Sequence, residues 1–97
     1  MRFEILLAPE AVEDLRSLKA NVRGQVRDAI EKHLRHNPGK TSRSRIKRLR
    51  GLRRPQYRLR VGDVRVFYDL IDSRVEILAI VAKEGAEKWL EEVARRG

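Results

Sequence analysis

The spacing of apolar residues switches between period two and helical period along the chain, and these switches predict its elements. Arg2-Phe3-Glu4-Ile5-Leu6-Leu7 begins in alternation and predicts a short strand. Ala8-Pro9-Glu10 then opens a helix, with proline early and an acid in the first turn where the helix dipole favours it. Ala11, Leu15 and Leu18 follow along one face of that helix. Asn21 is the expected N-cap of a second helix, whose face carries Val22, Val26, Ala29, Ile30, His33 and Leu34. His36-Asn37-Pro38-Gly39 ends it, and the short connection around Ala20-Asn21 makes the two helices an antiparallel hairpin.

Beyond a polar, basic loop from Lys40 to Arg45 the pattern returns to strands. Ile46 to Arg50 reads as a short one, with Ile46, Arg48 and Arg50 on one side and Lys47 and Leu49 on the other. Gln56 to Val61, Val64 to Ile71 and Arg74 to Ala82 read as three more, separated by Gly62-Asp63 and Asp72-Ser73. Lys83 to Arg95 then places Ala86, Trp89, Leu90 and Val93 at helical spacing. The order β-α-α-β-β-β-α predicts one α+β domain over residues 1–97. It is expected to be a four-stranded antiparallel sheet packed by an N-terminal helical hairpin and a C-terminal helix.

Gly62-Asp63 suits a type II′ turn, which fixes the pairing of its flanking strands. Val61 then lies opposite Val64, Arg60 opposite Arg65, Leu59 opposite Val66, Arg58 opposite Phe67 and Tyr57 opposite Tyr68. One face carries Tyr57, Leu59, Val61, Val64, Val66 and Tyr68 and must meet the helices. The other carries Arg58, Arg60, Arg65 and Phe67. Continuing through Asp72-Ser73 adds Leu78 and Ile80 to the arginine face, with Asp69 and Glu76 further along. The apolar members of that face are either covered by the last helix through Trp89, Leu90 and Val93 or open to a partner or a nucleobase. Two arginines directly opposed repel each other, a cost that an anion seated between them removes.

Charge distribution reinforces this. The 97 residues hold 23 Lys and Arg against 14 Asp and Glu, a formal +9. Lys40 to Arg65 contributes eleven bases and one acid, so 26 residues carry +10 and the rest of the chain nets −1. A basic segment on a near-neutral body is the footprint of a polyanion binder, and nine of its eleven bases are Arg, suited to bidentate phosphate contacts. The chain has no Cys, which removes disulfides, Cys-ligated zinc and thiol chemistry. Its longest apolar run, Ile77 to Ala82, is too short to span a bilayer, and the N-terminal stretch lacks a signal-peptide layout. A cytoplasmic location with no membrane partner is expected. His33 reads as a satisfied core histidine and His36 as a helix-end residue suited to the dipole. No glycine-rich phosphate loop, zinc spacing or nucleophile elbow is found, so neither metal nor cofactor is expected.

Tyr57-Arg-Leu-Arg-Val-Gly-Asp-Val-Arg-Val-Phe-Tyr68 resembles the central hairpin of RelE/ParE-type toxins of bacterial toxin–antitoxin pairs. Ala8-Pro-Glu-Ala-Val-Glu-Asp-Leu15 and the helix to Pro38 resemble the family's opening helical hairpin, and Ile46-Lys-Arg-Leu-Arg-Gly51 resembles its "K-L-x-G" strand. The resemblance implies a toxin of a type II system, in RelE-like members a ribosome-dependent mRNA endonuclease. By position it assigns Arg58, Arg60 and Arg65 as catalytic, with Lys47, Arg48, Arg50, Arg54 and Lys83 as RNA- or phosphate-binding. Arginine stays protonated, so it holds the scissile phosphate and neutralises developing charge, while the RNA 2′-hydroxyl is the nucleophile. Acid–base candidates are Asp69, Glu76, Lys83 and Glu84. The stretch Ala82 to Leu90 departs from many active RelE-like toxins, since it has no Arg, His or Tyr.

Three functions of different class share these features: an mRNA interferase, a ParE-like inhibitor of DNA gyrase, and a non-catalytic basic nucleic-acid-binding relative. The implied partners are a cognate acidic antitoxin, RelB-like or Phd-like, and, for the first, the ribosome and mRNA.

Overall fold

The computed structural model describes residues 1–96. Strand β1 (Glu4–Leu7) leads into helices α1 (Pro9–Ser17) and α2 (Ala20–Leu34). Strands β2 (Ile46–Arg48), β3 (Tyr57–Val61), β4 (Val64–Ile71) and β5 (Arg74–Ala82) follow. A 3₁₀ turn, Lys83–Gly85, then enters helix α3 (Ala86–Arg96). The α+β class is as expected, but the sheet is five-stranded and mixed rather than four-stranded and antiparallel. Its order is β1-β5-β4-β3-β2, with β1 parallel to β5. β4 occupies one edge of β5, and β1 takes the other before the chain turns through Pro9 onto the sheet face. That pairing spans both helices and three strands, so no local turn announces it.

Local boundaries also shift. α2 starts at Ala20 behind Lys19, so Asn21 lies within its first turn instead of capping it. β2 stops at Arg48, although Leu49 N–H still reaches Gln56 O at 2.8 Å. The predicted register of the central hairpin holds at all five pairs from Tyr57↔Tyr68 to Val61↔Val64. Gly62 takes φ 57°, as the first turn residue of a type II′ hairpin requires.

The core lies between the sheet and the helical hairpin. Ala11, Leu15, Val26, Ile30 and Leu34 descend onto Leu59, Val64, Val66, Tyr68, Val75, Ile77 and Ile80. Tyr68 is buried, stacks on Tyr57 with ring centroids 5.4 Å apart, and donates its hydroxyl to Pro38 O at 2.6 Å. This bond ties the exit of α2 to the middle of β4. Burial, with a smaller contribution from Tyr57, raises the Tyr68 phenol far above its ordinary pKa. Among the described residues no helix is long and apolar enough to cross a membrane.

A register shift at Phe67/Tyr68 corrects the expected face of β5. Phe67 pairs with Ala79 and Tyr68 with Ile77, which leaves Leu78 as the extra residue. Ile80 therefore faces the helical hairpin and not the arginine face as expected, while Leu78 is left without a partner on β4. A single extra residue reverses the alternation, which a uniform period of two cannot anticipate.

Beyond the end of β1 the outer edge of β5 is closed by a side chain. Ile80 N–H donates to Asp14 Oδ2 at 2.9 Å, pinning α1 to the sheet. Burial, and then the neighbouring Glu10, raise the Asp14 pKa above 3.8 despite that hydrogen bond. The fold thus favours the protonated carboxyl, and this contribution is lost as pH rises through the raised pKa. Urea unfolding should show wild-type stability increasing as pH falls towards 4, relative to Asp14→Asn, which keeps an acceptor without a charge. Asp14→Ala should cost about 1–3 kcal/mol by orphaning the Ile80 N–H. A parallel pH dependence in wild type and Asp14→Asn would overturn this account.

Candidate nucleic-acid interface

The sheet surface away from the helical hairpin collects cations by register alone. Arg60 lies opposite Arg65, and Arg58 lies between Phe67 on one side and Lys47 on the other. Lys47, Arg58, Arg60 and Arg65 therefore share one face of β2, β3 and β4. α3 covers the apolar end of this face. Trp89 stacks on the fully buried Phe67, centroids 4.8 Å apart and planes 12° apart, and its indole N–H donates to Glu10 Oε2 at 3.3 Å. This contact decides between the two fates left open for Phe67: it is covered by the helix. Phe67 in turn gives the Arg58 stem an apolar neighbour.

The cations are uncompensated. Arg58 is half-buried, its Nε has no partner, and burial followed by the charges of Arg65 and Arg60 pulls its pKa down. Arg65 curls over the turn, donating to Gly62 O at 2.9 Å and Val64 O at 3.2 Å, and Arg60 is exposed. None of these three arginines has a carboxylate within ion-pair distance among the described residues. Such a cluster favours an anion, which would restore to Arg58 the stabilisation that burial and like charge remove.

The other predicted binding residues do not join this cluster. Arg48 pairs with Tyr57 across β2 and β3 and sits on the opposite face, its guanidinium carbon 5.0 Å from the Tyr57 ring centre. Arg50 is exposed beyond the end of β2. Arg54 donates through Nε to Asp69 Oδ2 at 2.6 Å and lies 3.5 Å from Glu76. Lys83 opens the 3₁₀ turn, exposed, with its backbone N–H bonded to Asp63 O at 2.8 Å near the hairpin tip. Two of the four acid–base candidates are already engaged. Asp69 is buried between Arg54 and the Gln56 N–H, and Glu76 pairs with Arg54 and Arg74. Lys83 and Glu84 remain exposed.

Two concavities escape sequence reasoning because they join distant segments. Gly51 to Arg54 face Val93, Ala94 and Arg96 across a groove of about 490 Å³. His33, expected in the core, instead stands half-buried in a cleft of about 260 Å³ beside Lys32, Lys40 and Arg45. Burial first, then Arg45 and Lys32, lower its pKa. No three His, Asp, Glu or Cys side chains among the described residues group as metal ligands.

A mixed sheet carrying a helical hairpin on one face and a cationic arginine cluster on the other defines a small basic α+β domain suited to an anionic partner. The family model for the ParE toxin of type II toxin–antitoxin systems matches residues 5–86, and the chain belongs to this family, within the RelE/ParE superfamily. No curated protein matches the sequence. Among solved structures, the RelB–RelE complex of Methanococcus jannaschii is similar with a TM-score of 0.68 at 19% identity, covering 87% of this chain and 96% of that one. The RelBE2 toxin–antitoxin complex of Mycobacterium tuberculosis also gives 0.68, at 22% identity, over 84% and 99% of the two chains. The archaeal RelE–RelB complex of Pyrococcus horikoshii OT3 gives 0.64 at 25% identity, over 86% and 97%. The RelE fold is thus shared over most of each chain.

Proposed function

We propose that this toxin is a metal-independent endoribonuclease that arrests growth by cutting mRNA on the ribosome. The observation that carries the reading is the shared face of Lys47, Arg58, Arg60 and Arg65, with no carboxylate pairing the arginines. Arg58, Arg60 and Arg65 hold the scissile phosphate. The RNA 2′-oxygen bonds to phosphorus as the bond to the 5′-oxygen breaks, and the guanidinium groups neutralise the charge that develops. Arg54, Asp69 and Glu76 hold the far end of the sheet, and proton transfer falls to Lys83, Glu84 or a group of the ribosome. A cognate acidic antitoxin, RelB-like or Phd-like, silences the toxin in the cytoplasm by covering the same cations; the RelE structures similar to this chain include complexes with RelB.

A second reading is inhibition of DNA gyrase, favoured by the ParE family match itself and by the engagement of Asp69 and Glu76 in ion pairs. Inducing the toxin in cells and mapping mRNA 5′ ends separates the two. New ends clustered within translated frames are expected. Intact transcripts with disturbed DNA supercoiling would assign gyrase as the target.

A further inference from the structure

Three basic surfaces meet around the β2 edge of the sheet, and only the sheet face is used by the proposed chemistry. The cleft under the end of α2 holds Lys32, His33, Lys40 and Arg45, with no acid in its lining. Arg45 also lines a second hollow with Ser44, Arg60 and Gly62. One arginine therefore borders both the cleft and the hollow that contains Arg60, itself a member of the sheet-face cluster. The backbone fixes that link, since Arg60 N–H donates to Arg45 O at 2.8 Å. The loop is ordered by its own hydroxyl: Ser42 Oγ accepts from the N–H groups of Arg45 (3.0 Å) and Ile46 (3.3 Å). Having accepted both, the Ser42 hydroxyl still has its proton to donate.

We infer that the cleft of Lys32, His33, Lys40, Ser42 and Arg45 is a phosphate-binding subsite for the same RNA strand, which leaves the sheet face past Arg60 and rounds the sheet edge at Arg45. The basic path is continuous, the strand carries a phosphate at every step, and the cleft supplies cations plus a hydroxyl donor as phosphate oxygens require. His33 is the reporter. Lys32 on its own helix and Lys40 and Arg45 from the loop face it, all cationic, and nothing in the cleft lining favours its proton. A phosphodiester in the cleft reverses that field and raises the affinity of the imidazole for a proton.

This inference rests on the RNA reading for the identity of the polymer, and its test is independent of cleavage. The intact toxin is titrated with 2′-O-methyl RNA, which cannot be cut, in two lengths: one covering only the sheet face and one long enough to round the edge. His33 is followed by NMR. The long RNA should shift the His33 titration to higher pH and the short one should not. Lys32 and Lys40 are both exposed, so Lys32→Gln/Lys40→Gln should fold normally. The pair should weaken the long RNA on the order of tenfold, lower its salt-dependence slope by about 1.4, and spare the short RNA. An unchanged His33 titration with the long RNA, or an unchanged slope, overturns the subsite. A shift produced by an acidic peptide and not by RNA assigns the cleft to a protein partner instead. If His33 shifts as expected while induced cells keep their mRNA intact, the subsite stands and the endonuclease reading fails.

Discussion

Replacing Arg60 and Arg65 together by Gln should abolish growth arrest and mRNA cleavage while leaving the protein more stable than wild type. The two residues face each other across β3 and β4. Like charges directly opposed on a strand pair destabilise it, and removing both should return about 0.2–1 kcal/mol. Catalysis should move the other way. A group that stabilises developing charge is worth about 10²–10³ in rate when removed singly, and this variant removes two. Arg58→Gln should behave alike, since its guanidinium is half-buried with an unpartnered Nε beside Arg60 and Arg65. Urea denaturation and single-turnover cleavage on programmed ribosomes give the two readouts. Lost cleavage with raised stability identifies residues kept for function against the interest of the fold. Retained cleavage would remove these arginines from the site, and a marked loss of stability would make them structural.

The grouping of the candidate site's arginines was more legible in the sequence than parts of the fold. The two-residue turn at Gly62-Asp63 fixes the β3–β4 register, and register alone places Arg58, Arg60 and Arg65 on one face. The helical hairpin follows from the periodicity of Ala11, Leu15, Val26, Ile30 and Leu34, all of which are buried. Features that depend on distant segments leave no such trace. β1 pairs with β5 in a register that joins residues seventy positions apart, and the displaced alternation at Phe67/Tyr68 depends on one extra residue, Leu78, in β5. The division of the basic segment was equally hidden. Arg48 and Arg54 look like Arg58 and Arg60 in composition, yet one lies over Tyr57 and the other pairs with Asp69. Charge density in a sequence points to a basic surface, whereas partner geometry separates the unpaired arginines from those already engaged.

Asp69→Ala is expected to have the largest effect on stability of any polar substitution. The Asp69 side chain is only 4% exposed. It accepts from Gln56 N–H at 2.7 Å and from Arg54 Nε at 2.6 Å, while the Gln56 side chain accepts Leu70 N–H at 2.8 Å. Asp69 thus organises the entry to β3, the 50s loop and the C-terminal end of β4 at once. Removing one partner of a buried pair typically costs about 3–5 kcal/mol, but the Arg54 side chain is 51% exposed and can return to water. What remains is the orphaned Gln56 N–H and the lost charge-assisted bonds, for an expected loss of about 2–3 kcal/mol. That is a large share of the roughly 5–15 kcal/mol that holds a typical domain together. Asp69→Asn, which keeps an acceptor for Gln56 N–H and leaves no buried charge, should lose about half as much, whereas Arg54→Gln should cost more than Asp69→Asn because it strips the buried carboxylate of its cation. Chemical denaturation ranks the three. The same variants decide whether Asp69 has a role in proton transfer: if it is structural, cleavage by the surviving folded fraction stays near wild type. A stable Asp69→Asn protein without cleavage would instead make this carboxylate the missing acid–base group of the site.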